Sequence, residues 1–153
     1  MKACQLLVAC AVGLLVTQAA QAQTRTNKLK LIIRTGGDDL RGGNDNLNVT
    51  IHLVDGTKQT FLNVNNGRRW KDNTTRVVIL NLRRPVARRA VTYVTFKTTF
   101  RGGLSGDNWN MNWVRIWSHV PAPKWLVAKR GFFRFTGDRK AVSMRGDYFR
   151  YRP

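Results

Sequence analysis

Residues 34–56 read RTGGDDLRGGNDNLNVTIHLVDG, a polar glycine-rich loop that feeds a strict alternation. In its second half Leu47, Val49, Ile51 and Leu53 alternate with Asn48, Thr50 and His52, the period of a half-buried strand. Asp55-Gly56 then supplies a turn before the run 58–64, and the two runs together predict a hairpin. The first half, TGGDDLRGGNDN (35–46), gathers Asp38, Asp39 and Asp45 from a chain with only 8 acidic residues. Asp and Asn bond their own backbone in turns, and Gly reaches positive φ cheaply, so the loop reads first as turn chemistry.

The same alternation extends outward in both directions. Leu29, Leu31 and Ile33 alternate with Lys30 and Arg34; Val78, Leu80 and Leu82 continue it, and so does the Thr-rich run from Val91 to Phe100. Gly36-Gly37, Asn65-Asn66-Gly67, Gly102-Gly103, Gly106-Asp107 and Gly137-Asp138 punctuate the runs as turns. Strands are expected near 28–35, 47–54, 58–64, 75–82, 90–100, 111–119, 124–130 and 132–136, with a ninth at 140–145. No sustained helical repeat interrupts them. The expectation is an all-β chain, a single antiparallel β-sandwich of about eight strands.

The N-terminus predicts a secretory signal peptide over 1–22, leaving residues 23–153 as the one folded domain. Lys2 precedes an apolar run from Leu6 to Val16, and Ala20-Gln21-Ala22 has the small-residue pattern of a cleavage site. Leu7-Val8-Ala9-Cys10 also matches a lipobox, but too few residues precede Cys10 for that reading to be preferred. Both cysteines, Cys4 and Cys10, leave with this segment, which excludes thiol chemistry, cysteine-ligated zinc and disulfide staples in the mature chain. The expected localisation is secreted or periplasmic. Removing Lys2 leaves 26 basic residues against 8 acidic ones, a charge of +18, with no Glu at all. A field of that sign draws polyanions: anionic lipid, lipopolysaccharide, acidic polysaccharide or nucleic acid.

The loop of 34–56 has an echo. Arg41-Gly42-Gly43 precedes Asp45-Asn46, and Arg101-Gly102-Gly103 precedes Asp107-Asn108 and then WNMNWVRIW (109–117). These two stretches resemble the hallmarks of the polycystin–lipoxygenase–alpha-toxin (PLAT) domain, as found in small secreted bacterial proteins. In that domain a strand ends in Thr-Gly before an Asp/Asn loop, and a second polar loop leads to Trp and an alternating strand. The resemblance implies an eight-stranded sandwich that acts as a non-catalytic binding module for lipid or protein, in some members with calcium held by these loops. On this template Trp109, Met111, Val114 and Ile116 point inward.

Strict alternation cannot satisfy that template, because Trp109 and Met111 differ in parity from Val114 and Ile116. A β-bulge near Asn112 would reconcile them and turn Trp113, Arg115 and Trp117 outward. With Trp125 and Lys124 following, Trp113, Trp117 and Trp125 become candidate membrane contacts: indoles at headgroup level beside cations for phosphate. Anion-binding candidates are Arg68, Arg69, Arg83, Arg84, Arg88, Arg89, Arg115, Lys129, Arg130, Arg139 and Lys140, mostly Arg, whose planar fork suits phosphate. For calcium, Asp38, Asp39, Asn44, Asp45 and Asp107 would supply oxygen ligands if the two loops meet. No catalytic residues are assigned. The expected function is a secreted basic binding module for anionic surfaces. The alternatives are an exported toxin or nuclease using His52 and His119, and an adhesive for acidic polysaccharide.

Overall fold

The computed structural model describes residues 24–101, 107–120 and 124–150. The expected signal peptide and the glycines of the echo loop, 102–106, lie outside the described residues. Among the described residues are nine strands: β1 (Arg25–Thr35), β2 (Leu47–Leu53), β3 (Lys58–Phe61), β4 (Thr75–Ala87), β5 (Val91–Thr98), β6 (Trp109–Val120), β7 (Leu126–Arg130), β8 (Phe133–Phe135) and β9 (Ala141–Arg145). A short helix, α1 (Asp147–Arg150), follows them. The strands form two antiparallel sheets. One runs β4-β1-β6-β7, with β8 also paired to β6; the other runs β3-β2-β5-β9. The fold is therefore the all-β sandwich that the alternation predicts.

Each sheet turns one side chain in two toward the other sheet, and those positions are the apolar ones. Leu29, Leu31 and Ile33 of β1, Leu47, Val49 and Ile51 of β2, and Val94 and Phe96 of β5 have no exposed surface. Trp109 sits at one end of this core, stacked on Phe135 at 5.0 Å and met edge-on by Trp70 at 5.9 Å. Its indole N–H donates to Thr35 Oγ1 at 3.3 Å, so the polar atom of a fully buried ring is satisfied.

The bulge expected near Asn112 is there. Arg34 pairs with Trp113 and Thr35 with Met111, leaving Asn112 without a partner on β1. Trp109, Met111, Val114 and Ile116 are consequently all buried, while Trp113 and Trp117 are half-buried and Arg115 is exposed. The opposite edge of β6 breaks at the same height: β8 pairs with β6 up to Met111 and β7 pairs from Val114, with Gly131 and Phe132 between them.

β4 is longer than the alternation predicts, running on through Pro85. Pro cannot donate to a ladder, but β4 is an edge strand and residues 82–85 make no pair with β1, so the missing N–H goes unneeded. Near β7 the two sheets are joined by a bridge between Ala128 and Gly146. Gly146 is required at that point, because a Cβ there would collide with the Val91 carbonyl.

Candidate functional site: the loop end and the outer faces

The loop 35–46 is a stitched turn system. Gly36 N–H donates to the Asn110 carbonyl at 2.7 Å, and Asn110 N–H donates to the Asp38 carbonyl at 3.0 Å. Leu40 and Trp70 bridge, and Gly43 N–H reaches the Gly67 carbonyl at 2.8 Å. Gly42 stands at φ +81°, and a Cβ there would strike the backbone of 67–68, so this position is closed to other residues. Asn65 clamps the loop's exit, accepting from Leu47 N–H at 3.0 Å and donating to Asn46 Oδ1 at 2.9 Å.

The acids of the two loops fall into two groups. Asp39 is buried and ion-paired with Arg69, and Asp38 pairs with Arg134 at 3.1 Å. Asp45 and Asp107 do meet, bringing the two loops together as the echo suggests. Arg41 pairs with Asp107 at 2.7 Å. Burial raises the Asp45 pKa to about 6, helped by its hydrogen bond to Asp107 and that residue's charge, against the opposing pull of Arg41 and Arg101. Calcium needs about six to eight oxygen ligands. Here Asp38, Asp39 and Asp107 each already face a guanidinium, and among the described residues no group of three acidic, His or Cys side chains converges. Asn44 contributes its backbone carbonyl to Thr99 Oγ1 at 2.5 Å. This donor set does not fit a calcium cage as it stands.

The outer face of the five-stranded sheet has a different character. Cross-strand register sets three rows side by side: Val77–Ile32–Arg115–Lys129, Ile79–Lys30–Trp117–Leu126, and Thr75–Arg34–Trp113. Val77 is 57% and Ile79 40% exposed, unusual for aliphatic side chains on a strand, and no acid stands in any row. Arg115 lies over the Trp113 ring at 5.4 Å. The sheet thus presents indole and aliphatic surface interleaved with cations that have no carboxylate partner among the described residues.

Of the expected anion-binding residues the structure gathers Arg115, Lys129 and Arg130, all on β6 and β7. The others are dispersed. Arg69 is committed to Asp39, and Arg84 pairs with Asp55 at 2.7 Å. Arg83 stands exposed on β4, and Arg68 lines a groove with Arg76 and Val77. Arg88 and Arg89 form a 3-10 turn, with Arg89 over Tyr148 at 4.9 Å. Arg139 lies over Phe133 at 4.8 Å, and Lys140 precedes β9.

One expectation is overturned. Trp125 is not a surface contact: only 5% of it is exposed, and its backbone N–H donates to Ser118 Oγ at 2.8 Å. Ser118 is itself fully buried, and Trp125 belongs to the hydrophobic core. Lys30, Arg34, Ile32, Val77 and Ile79 were not singled out from sequence, although the alternation of β1 and β4 already placed them on one side.

The opposite outer face, on the four-stranded sheet, carries a row Thr60–Thr50–Thr95–Ser143. Thr50 and Thr60 hydroxyls meet at 3.1 Å, Thr95 and Ser143 at 2.8 Å, and His52 Nε2 meets Thr95 at 3.1 Å. His52 stacks on Tyr93 at 4.4 Å, and burial together with the Lys58 charge lowers its pKa. His119 belongs to β6, in the other sheet. The two histidines therefore do not form the paired acid and base that a nuclease reading requires.

No family model matches the chain, and no curated protein matches it. Solved structures do. The alpha-toxin of Clostridium perfringens from avian strain SWCP aligns at TM-score 0.63 and 15% identity, over 84% of this chain and 34% of the toxin. The alpha toxin of Clostridium absonum aligns at 0.60 and 14%, over 84% and 33%. A Delta413-417:GS LOX structure in complex with arachidonate aligns at 0.55 and 11%, over 78% and 16%. The chain has a PLAT-like fold. It spans about a third of the toxins' length and a sixth of the LOX chain, and at these identities the likeness is one of architecture.

Proposed function

We propose that this PLAT-like domain is an exported, non-catalytic module that binds anionic lipid surfaces through the outer face of its five-stranded sheet. The supporting observation is the three-row pattern of Trp113, Trp117, Ile79, Val77 and Ile32 interleaved with Lys30, Arg34, Arg115 and Lys129, with no acid among them. Half-buried indoles suit the headgroup layer, while each Lys or Arg near an anionic membrane contributes about 1 kcal/mol. A sheet face meets a planar surface along several strands at once, so these contributions act together. The net charge of +19, or +18 once Lys2 leaves with the signal segment, supplies the long-range attraction.

Co-sedimentation with vesicles tests this reading. The domain should bind phosphatidylglycerol vesicles at low salt, release them as salt screens the surface charge, and ignore phosphatidylcholine vesicles. Absence of binding to the anionic vesicles at low salt would refute the proposal. Calcium forms a second arm of the same experiment. If it joins at Asp45 and Asp107 it must displace Arg41, and chelation would then weaken binding.

A further inference from the structure

The place where β6 bulges and the β7–β8 edge breaks opens a cleft of about 460 Å³, lined by Trp113, Arg115, Lys129, Arg130, Gly131 and Arg150. Four of its seven lining residues, Val114 being the seventh, are cations, and none of the four pairs with a carboxylate; the ion pairs among the described residues involve Arg41, Arg69, Arg84 and Arg134. Arg130 is weakly held. Its Nη1 reaches the Ser143 carbonyl only at 3.5 Å, its Nε–H is buried without a partner, and its guanidinium rests over Phe133 at 5.2 Å. Arg150 comes from α1, twenty residues along the chain, and its Nη2 donates to the Lys129 carbonyl at 2.5 Å, which brings a fourth cation to the rim. Gly131 contributes no side chain, and the space beside its Cα is open. Trp113 gives the cleft an aromatic wall, with Arg115 stacked on it.

We propose that this cleft is a selective site for a terminal phosphomonoester displayed on a lipid headgroup. A monoester carries about −1.5 to −2 charges near neutral pH and offers three acceptor oxygens, whereas a diester offers two oxygens and one charge. Several unpaired cations converging on one cleft favour the former, and the guanidinium fork of Arg130 has donors free for it. Uncompensated cations scattered on an open sheet serve any anionic surface; cations gathered in a recess distinguish between headgroups. The inference deepens the surface-binding proposal and rests on it for the source of the phosphate.

The test compares vesicles containing phosphatidate with vesicles containing phosphatidylglycerol, matched for surface charge. The wild-type domain should prefer phosphatidate by roughly tenfold, the worth of one charge-assisted hydrogen bond. Arg130→Gln and Lys129→Gln should abolish the preference; Lys129 is exposed, so its variant leaves the fold intact. No preference in the wild type, or a preference that survives Arg130→Gln, would overturn the inference while leaving general anionic binding standing. A soluble arm separates the two proposals. The Trp113 indole N–H resonance, assigned through Trp113→Phe, should shift saturably with glycerol phosphate and stay still with dimethyl phosphate. That shift without any vesicle binding would keep the cleft as a site for soluble phosphomonoesters and overturn its headgroup source together with the surface reading. An unmoved resonance, or equal response to both esters, overturns the cleft.

Discussion

The two outer faces of the sandwich use the same alternating strands and reach opposite ends. On the four-stranded sheet, outward positions are hydroxyls and a His–Tyr pair that bond or pack across the strands, together with Lys58, Lys97 and Arg145 but no exposed aliphatic row. On the five-stranded sheet they are indoles, aliphatics and cations with few bonds among themselves; Arg34 reaches Thr75 Oγ1 only at 3.5 Å. The first face satisfies its hydroxyls internally and sets its cations, Lys58, Lys97 and Arg145, among polar neighbours. The second leaves both its apolar surface and its charge available to something outside the chain, which is how a binding face differs from a solvated one.

Charge removal gives the sharpest contrast. Lys30→Gln with Arg115→Gln should weaken binding to phosphatidylglycerol vesicles roughly 30-fold, since two cations are worth about 2 kcal/mol at such a surface. Lys58→Gln with Arg145→Gln, the same charge change on the hydroxyl face, should cost less than about threefold through the long-range field alone. Equal losses from the two pairs would reduce the account to net charge.

Substituting tryptophans separates contact from core. Trp125→Ala should lower stability by about 3–5 kcal/mol, the cost of emptying a buried aromatic site, read as an earlier denaturant midpoint. Trp117→Ala should destabilise far less and instead weaken vesicle binding. On the hydroxyl face, Thr95→Val removes the partner of both His52 and Ser143 and should cost about 1 kcal/mol of stability with binding unchanged.

The smallest effect is expected at the loop end. Asp45 has a folded pKa near 6, above its ordinary 3.8, so its contribution to stability is full below about pH 4 and is lost as pH rises through about 6. Asp45→Asn cannot ionise, so it should raise the melting temperature over wild type at neutral pH, and the gap should close below about pH 4. A variant that melts lower than wild type at neutral pH would show that the ionised carboxylate is used there, as a cation site would require.

Much of the fold was legible because the signal is local. Alternation located the long strands and turn clusters delimited the short ones, and the parity conflict between Met111 and Val114 was enough to locate the bulge at Asn112. That one inserted residue decides which tryptophans face out. Trp125 was misread because its placement follows from pairing that sequence does not show: its backbone N–H bonds Ser118 Oγ, and the β6–β7 register is irregular near Leu126. The ion pairs Asp39–Arg69 and Asp38–Arg134 join residues distant in sequence, so the calcium expectation counted two carboxylates that the fold gives to guanidinium partners. The cleft was hidden for the same reason. Arg115, Arg130 and Arg150 stand on three separate elements, and only the folded edge brings them together.

The central claim is that one face, and not the net charge, makes the contact. Depth-dependent quenching measures it directly: vesicles of anionic lipid with brominated acyl chains, mixed at low salt with variants keeping the core tryptophans but carrying Trp113→Phe and Trp117→Phe. The account predicts quenching in the wild type that is lost in the double variant, with core fluorescence unaffected. Quenching that persists without Trp113 and Trp117 would place the contact elsewhere and contradict it.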